Sequence, residues 1–168
     1  DLYDINILGS ISIKGTTLLP RYGNKLPRIA ECPSGLINAI GLQNPGVDKV
    51  VSEELVKLDE VYKDQIIANV GGHSFEEYTE TVKKFNTSDK VFAIELNISC
   101  PNVTGGGMAF GVDPDTAYQL VKQVKAVSTK PIIVKLSPNV TNIVEMAKAV
   151  EKAGADAVSL INTLVGMR

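Results

Sequence analysis

Three side chains with chemical capability lie within the stretch AIELNISCPNVTGGG, which covers residues 93–107. Asn97 and Asn102 offer amide donors and acceptors, and Cys100 between them can take up or release a proton. The residues before Asn97 predict a strand, and the glycines after Asn102 predict a loop that can approach a ligand closely. A thiol on a loop beyond a strand end is accessible, and a nearby lysine would favour its thiolate form. The alternative for Cys100 is a buried small hydrophobe, as free cysteines commonly are.

Long polar side chains interrupt five apolar runs at similar places. The runs are rich in Ile and Val and predict parallel strands, buried on both faces, near 9–15, 65–71, 91–98, 131–136 and 156–161. The interrupting residues, each near the C-terminal end of its run, are Lys14, Asn69, Asn97, Lys135 and Asn162. A single polar residue at a strand end is more often simply solvated. Five of them at matching places predict one site, because parallel α/β sheets and barrels carry their sites at this edge.

The residue types at these strand ends indicate what such a site would bind. Two lysines and several amides, with no carboxylate among them, are typical of a site for a polar, planar ring with alternating C=O and N–H groups. Lys14 and Lys135 would supply positive charge where negative charge develops. The sequence predicts no metal site, because it has one histidine and no Cys/His spacing. That histidine, His73, lies just before the predicted helix cap Ser74 and is interpreted as a helix-entry residue rather than a catalytic one.

Four helical patterns alternate with the strands. Ser74 with Glu77 forms a capping box, Asp113 is the N-cap of a second helix, and Gly154 lies where a C-cap glycine belongs. The helices are predicted within 47–62, 76–85, 115–127 and 142–154. The alternation predicts an α/β fold with right-handed crossovers. The segment 18–46 is rich in Pro and Gly and lacks a helical period, which predicts a long functional loop.

Length and charge exclude several classes of protein. The 168 residues suit one domain. With 17 Lys+Arg against 19 Asp+Glu, the chain lacks the excess of positive charge that binding to nucleic acid or an anionic membrane would require. The apolar runs are too short to span a membrane. Cys32 and Cys100 are interpreted as free thiols, which together with the lack of a signal-peptide pattern favours the cytoplasm. Since the sequence opens without Met, we expect the true N-terminus to lie upstream.

Several segments resemble one enzyme family, in the family's order along the chain. They are IKGTTLLPRYGNKLPR (13–28), GLINAIGLQNPG (35–46), ELNISCPNV (95–103), PIIVKLSPNVT (131–141) and AGADAVSLINTLVGMR (153–168). They resemble the class I dihydroorotate dehydrogenases, FMN enzymes of pyrimidine synthesis that fold as a (β/α)8 TIM barrel. NAIGLQNPG and GGGMAFG are more similar to the NAD-linked subtype than to the fumarate-linked one. That resemblance implies a homodimer and a second, electron-transfer subunit that carries FAD and an iron–sulfur cluster.

The resemblance implies a role for each matching residue. Cys100 would be the base that removes a proton from carbon 5 of dihydroorotate, while hydride passes from carbon 6 to FMN. The residues that would hold the pyrimidine and its carboxylate are Lys14, Asn38, Ala39, Ile40, Gly41, Leu42, Asn97, Asn102, Asn162 and Thr163. The residues that would contact FMN are Lys14, Gly15, Asn69, Asn97, Lys135 and Ile161.

The chain is shorter than the family pattern requires. Five predicted strands and four helices fall short of the eight of each in a complete barrel, so residues 1–168 are expected to be a single partial barrel domain, truncated at both ends. Two alternatives remain open at this point. One is a related flavin barrel that acts on another pyrimidine, and the other is a non-catalytic partial barrel that serves as a binding or structural module.

Overall fold

The computed structural model describes residues 3–99 and 110–167, which form an α/β unit on one parallel sheet. The elements are a 3-10 turn (Ile5–Ile7), β1 (Ile29–Cys32), β2 (Gly35–Asn38), α1 (Val47–Lys49), a π-helical turn (Val50–Glu54), α2 (Leu55–Val61), β3 (Ile66–Val70), α3 (Phe75–Asn86), β4 (Val91–Asn97), α4 (Pro114–Val127), β5 (Ile132–Leu136), α5 (Ile143–Lys152) and β6 (Ala157–Leu160).

The parallel sheet has the strand order β3-β4-β5-β6, and a helix separates each strand from the next along the chain. All three strand pairs are parallel, with Asn69 opposite Glu95 and Asn97 opposite Lys135. Four of the five predicted strands and all four predicted helices are therefore confirmed. Consecutive parallel strands joined by helices are the arrangement of a (β/α) barrel wall.

The first predicted strand, 9–15, is replaced by a less regular segment beside β3. It makes two isolated parallel bridges, Ser12 with Ile67 and Thr16 with Val70. Between these bridges the segment advances by four residues while β3 advances by three. This surplus residue interrupts the hydrogen-bond ladder, as in a β-bulge. The segment still follows the edge of β3, because the amide of Thr16 donates to the carbonyl oxygen of Asn69 at 2.9 Å.

The predicted loop 18–46 contains a β-hairpin that the sequence reading missed. β1 and β2 pair in antiparallel register, with Ile29 opposite Asn38 and Cys32 opposite Gly35. Both strands are short and mostly exposed, so they lack the alternation of apolar and polar residues that marks a half-buried strand. The two residues between the strands, Pro33 and Ser34, form the turn.

The two faces of the parallel sheet have opposite character. One face packs on the helices through fully buried side chains: Ile66, Ala68, Val70, Ile94, Leu96, Ile132, Val134 and Leu136. Side chains alternate along a strand, so the residues between these point to the other face. That face carries Asn69, Glu95, Lys135 and Ser159. The residues of β3 to β5 on that face are buried or half-buried, as predicted, but polar side chains occupy its centre.

The helix boundaries follow from side-chain caps. Ser74 Oγ accepts from the amide of Glu77 at 3.1 Å, and Glu77 Oε2 accepts from the amide of His73 at 2.7 Å. Ser74 is thus confirmed as the cap, and Glu77 reaches back to the amide of His73, one residue before the position that the predicted capping box requires. His73 lies at the helix entry as predicted. Asp113 caps α4 as predicted, and α5 is capped by the side chain of Asn142.

No helix in the described ranges 3–99 and 110–167 is long and apolar enough to cross a membrane.

Candidate active site

Four side chains from four strands form a connected polar layer on the face of the sheet opposite the buried apolar one: Asn69, Glu95, Lys135 and Ser159. The Asn69 amide group donates to Glu95 Oε2, and the Ser159 hydroxyl donates to Glu95 Oε1 at 2.8 Å. The Lys135 ammonium nitrogen lies 4.0 Å from Glu95 Oε2. Glu95 is buried and contacts the other three side chains, so a carboxylate lies at the centre of the layer.

Glu95 corrects the expectation of a site without a carboxylate. That expectation rests on one long polar residue near the C-terminal end of each apolar run, and in the β4 run this residue is Asn97. Because strand side chains alternate, Glu95 shares a face with Asn97, two residues further on. The alternation of Ile94, Glu95, Leu96 and Asn97 was the available signal.

Above the polar layer, Asn97 and Asn162 form a pair of amides. Asn162 Nδ2 donates to Asn97 Oδ1 at 2.7 Å, and Asn162 Oδ1 accepts from the amide of Thr163 at 2.7 Å. The backbone carbonyl of Asn97 accepts from the hydroxyl of Tyr78 at 2.6 Å. These contacts fix both amide planes and tie the end of β4 to the segment after β6.

The residues that follow β2 form one wall of the site, and Asn24 supports them. Asn24 Nδ2 donates to the carbonyl of Ala39 at 2.8 Å, and the Asn24 amide donates to the carbonyl of Ile40 at 3.0 Å. Gly41 has a φ of 76°, and a Cβ there would lie 2.8 Å from the Asn24 side chain. Glycine is required at this position for both reasons.

Asn44 joins this wall to the sheet, and the sequence reading missed it. Its Nδ2 donates to Thr17 Oγ1 at 2.9 Å and to the carbonyl of Leu42 at 2.7 Å. Its Oδ1 accepts from the amides of Thr17 and Gly46 at 3.1 and 2.9 Å. A buried amide that satisfies four groups in this way holds residues 38–42 against the segment after Lys14.

These elements enclose one cavity of about 850 Å³ at the C-terminal ends of the strands. Nine of the sequence-predicted substrate residues line it: Lys14, Asn38, Ala39, Ile40, Gly41, Leu42, Asn97, Asn162 and Thr163. Polar residues that were not predicted also line it, among them Arg21, Asn24, Ser99, Ser137 and Asn139. Asn139 holds the last part of the wall, because its Nδ2 donates to the carbonyl of Thr163 at 2.9 Å and its Oδ1 accepts from the amide of Val165 at 3.1 Å.

The other predicted residues lie elsewhere. Asn69 and Lys135 belong to the polar layer and do not line the cavity, and neither do Gly15 and Ile161. Gly15 packs on the polar layer, since a Cβ there would lie 2.9 Å from Asn69 Oδ1. Cys100 and Asn102 lie outside the described residues.

The described residues on either side of 100–109 meet at the cavity. Ser99 and Gly111 both line it, and a Cβ on Gly111 would lie 2.7 Å from the carbonyl oxygen of Ile98. Two residues later Asp113 caps α4 by accepting from the hydroxyl and the amide of Thr116, at 2.5 and 2.7 Å. These hydrogen bonds hold the pKa of the Asp113 carboxyl below its usual range. The cap therefore fixes the chain at the point where it rejoins the cavity.

The described residues contain no cluster of three or more His, Cys, Asp or Glu side chains that could hold a metal ion. The cavity instead presents amides, hydroxyls and cations, which suit an organic ligand with several carbonyl oxygens. Lys14 lines the cavity and has no carboxylate partner within the described part of the chain. Its positive charge is therefore available to an anionic group of a ligand.

A parallel sheet with a helix between successive strands and a polar cavity at the carboxyl ends of the strands places this protein in the α/β class, in which open sheets and (β/α) barrels carry their sites at this edge. Over residues 1–168 the chain matches the model of the family described as dihydroorotate dehydrogenase. The chain belongs to the dihydroorotate dehydrogenase family, whose fold is a (β/α)8 barrel and whose members are flavin-dependent.

Curated relatives are similar to almost the whole chain. A protein of Bacillus cytotoxicus is 59% identical over 166 residues, 99% of this chain and 53% of the relative. Proteins of Anoxybacillus flavithermus and Halalkalibacterium halodurans are 60% and 57% identical over 99% of this chain, which covers 53% and 54% of their lengths. All three are described as "Dihydroorotate dehydrogenase B (NAD(+)), catalytic subunit". The chain thus spans about half the length of the curated relatives it matches.

Proposed function

We propose that this chain is part of the catalytic subunit of an NAD-linked dihydroorotate dehydrogenase, which oxidises dihydroorotate to orotate in pyrimidine biosynthesis with FMN as its cofactor. The observation that carries the proposal is that Lys14, the 38–42 wall and the Asn97–Asn162 pair line one cavity. Its volume of about 850 Å³ is in the range of small-molecule sites. The names of the relatives support the reaction and the link to NAD.

The cavity residues match the groups of dihydroorotate. The substrate ring carries carbonyl oxygens and N–H groups, which the amides of Asn97, Asn162 and Asn38 would bind through donors and acceptors. The Asn97–Asn162 hydrogen bond holds these two amides in place before the ligand arrives. The substrate also carries a carboxylate, and Lys14 provides a cation on the cavity wall.

Cys100 is the proposed base. It is the next residue after Ser99, which lines the cavity. The thiolate would remove the proton from carbon 5 of dihydroorotate, and the Cys100 thiol would then hold that proton. Asn102, two residues further, would bind the same substrate, as the family resemblance implies.

The residues beneath the cavity fit the proposed FMN. Flavin rings present carbonyl and N–H groups along one edge, and the polar layer offers the Lys135 ammonium group towards negative charge on that edge. Gly15 lies against the polar layer, because a Cβ there would come within 2.9 Å of Asn69 Oδ1. When bound, FMN supplies the acceptor for the hydride that leaves carbon 6. Residues Lys14, Gly15, Asn69, Asn97, Lys135 and Ile161 are the proposed contacts.

The proposal includes the assembly that the family resemblance implies. Residues 1–168 would form part of one (β/α)8 barrel domain of a cytoplasmic enzyme. That enzyme would be a homodimer and would pass electrons to a second subunit with FAD and an iron–sulfur cluster. The description of the relatives as catalytic subunits supports a separate partner subunit.

The test uses the full-length protein. The flavin released on denaturation is identified by mass spectrometry, and orotate formation is measured with dihydroorotate as the substrate. We expect FMN and orotate. A protein that contains no flavin, or that contains FMN and forms no orotate, would contradict the proposal.

Dihydrouracil, which lacks the carboxylate, is the control substrate. Since Lys14 is proposed to pair with that carboxylate as well as to contact FMN, Lys14→Met should weaken turnover of dihydroorotate more strongly than any turnover of dihydrouracil. Faster turnover of dihydrouracil than of dihydroorotate would instead favour a related barrel that acts on another pyrimidine.

A further inference from the structure

Glu95 is the most connected side chain of the polar layer. Its two carboxylate oxygens accept from Asn69 and Ser159, and the Lys135 ammonium group lies 4.0 Å away. The three partners come from β3, β6 and β5, so Glu95 on β4 links all four strands of the sheet. A buried carboxylate is costly unless its oxygens are paired in this way.

Glu95 determines which way the Asn69 amide points. A carboxylate only accepts hydrogen bonds, so the NH₂ group of Asn69 must face Glu95. The Asn69 carbonyl oxygen then faces Gly15, where a Cβ would lie 2.9 Å from it. The orientation of Asn69 beside the 14–16 segment is therefore a consequence of Glu95.

Glu95 also influences the cation of the layer. The Lys135 side chain is 33% exposed and that of Glu95 is 11% exposed, so the carboxylate lies on the buried side of the ammonium group. Lys135 is opposite Asn97 in the sheet register, and Asn97 lines the cavity. Attraction to Glu95 keeps the ammonium group within the layer, and the negative charge offsets part of its field.

We propose that Glu95 is a positioning residue for the cofactor: it holds Lys135 and Asn69 beneath the flavin and sets the net charge of the polar layer. The proposal rests on the function proposed above, since it concerns the flavin that this layer would contact. Glu95 would have two effects. Its charge would influence the reduction potential of the flavin, and its contacts with Lys135 and Asn69 would influence the affinity for FMN. Different substitutions of Glu95 distinguish these effects.

Glu95→Gln removes the negative charge of the side chain and can keep its hydrogen bonds. The amide that replaces the carboxylate can accept from Asn69 with its oxygen and donate to the Ser159 hydroxyl with its nitrogen, so both contacts can persist. Loss of a negative charge beside the flavin favours the reduced, more negative form. We therefore expect the reduction potential of the bound flavin to become more positive, while the affinity of the apoprotein for FMN changes by less than about twofold.

Glu95→Ala tests whether Glu95 holds Lys135 and Asn69 in position. It removes both hydrogen bonds and leaves Lys135 and Asn69 without their common partner. We expect the affinity of the apoprotein for added FMN to fall by roughly tenfold, the effect of losing about one charge-assisted hydrogen bond. Fluorescence quenching of added FMN measures this affinity without any turnover.

A double-mutant cycle with Lys135 tests the effect of charge on the flavin potential. Lys135→Gln should shift the flavin potential to a more negative value, and Glu95→Gln combined with Lys135→Gln should return it towards the wild-type value. The matched control is Glu80→Gln, which removes one carboxylate from the exposed Glu80–Lys83 pair on α3 and should not move the potential.

The outcomes separate the two proposals. A wild-type protein without flavin would refute the proposed function, and the role of Glu95 with it. If the wild-type flavin is reduced by dihydroorotate and its potential is the same in Glu95→Gln, only the role of Glu95 is refuted. If a variant at Glu95 fails to fold, the affinity for FMN is measured in Ser159→Ala instead. This substitution removes one contact of the Glu95 carboxylate. An unchanged FMN affinity in Ser159→Ala would then contradict the placement effect.

Discussion

The amide pair above the polar layer shows how single residues fix the side chains that face the cavity. Asn162 donates to Asn97 Oδ1, so the NH₂ group of Asn97 is left to face a ligand. Within the described residues that NH₂ group makes no other hydrogen bond. A preformed donor of this kind costs little conformational entropy when the ligand binds.

Asn162→Asp tests this pair. The new carboxylate cannot donate to Asn97 Oδ1, and the two oxygens would repel each other or force Asn97 to turn. We expect KM for dihydroorotate to rise about tenfold, because one partly buried hydrogen bond between two proposed substrate contacts is lost. Asn142→Asp is the control, since Asp caps a helix as well as Asn does. Equal KM values in both variants and the wild type would contradict the role of Asn162.

The shared position of Lys14, Asn97 and Asn162 at one cavity could be predicted from the sequence, because each interrupts an apolar run that is easy to recognise. Their roles in binding stay predictions. It did not predict Glu95, since an acid inside an apolar strand is evident only once the strand's two faces are distinguished. Asn44 was missed for another reason. Its four partners come from residues 17, 42 and 46, and that convergence depends on the path of the segments around it.

At the scale of the elements, Asp156 fixes the register of the last two strands. Its carboxylate accepts from the amide of Ile132 at 2.7 Å and pairs with Lys125, and its own amide donates to the carbonyl of Ile132 at 2.8 Å. The hydrogen bond from Ile132 and the pairing with Lys125 hold the pKa of the carboxyl below its usual 3.8. These bonds lie at the start of β6 and join it to β5 and α4.

The pH dependence of stability follows from this lowered pKa. A carboxyl whose pKa is lower in the folded state contributes stability above its unfolded pKa, and this contribution disappears as the pH falls through the folded pKa. Asp156→Asn should therefore destabilise the protein at neutral pH by about 1 kcal/mol, a modest value because the side chain is half exposed. The difference between wild type and variant should shrink below about pH 4, as urea unfolding measured across the pH range would show. A difference that is constant with pH would contradict the assignment.

Gly41 tests the wall formed by residues 38–42. Gly41→Ala places a Cβ against Asn24 at a backbone conformation that non-glycine residues rarely adopt, which costs about 1–3 kcal/mol locally. We expect the wall to shift and KM for dihydroorotate to rise, while the flavin content stays the same. Gly9→Ala should have no effect, because nothing lies within 4 Å of the Cβ it would add. An unchanged KM in Gly41→Ala would show that the wall does not contact the substrate.

The elements themselves were predictable to different degrees. β3 to β6 and their helices follow from local periodicity and caps such as Asp113, which act within a few residues. The hairpin β1–β2 was not predictable, since its strands are exposed and carry no alternation. The irregular path of residues 9–15 depends on a bulge against β3, which is a property of the pair of segments.

At the scale of the whole molecule, the sheet has an outer strand with an accessible apolar surface. Val158 and Leu160 of β6 are 42% and 64% exposed, and no strand of the described residues pairs with the outer side of β6. An unpaired strand edge with exposed apolar side chains favours pairing with another chain.

Residues 1–168 prepared alone should therefore self-associate or misfold and should not retain stoichiometric FMN. Size-exclusion chromatography with light scattering gives the mass in solution, and flavin absorbance gives the cofactor content. A yellow monomer would contradict this expectation. It would mean that the four strands and the 9–16 segment close on themselves in solution.

The central claim is that the cavity above the polar layer brings dihydroorotate to a flavin, with Cys100 as the base. The most direct measurement is the flavin absorbance of the full-length protein, recorded in a stopped-flow instrument after anaerobic mixing with dihydroorotate. We expect rapid bleaching in the wild type. In Cys100→Ala, loaded with the same amount of FMN, we expect bleaching to be slower by about 10²–10⁴-fold, the usual contribution of a positioned base. Flavin that dihydroorotate does not bleach, or equal rates in the two proteins, would contradict the account.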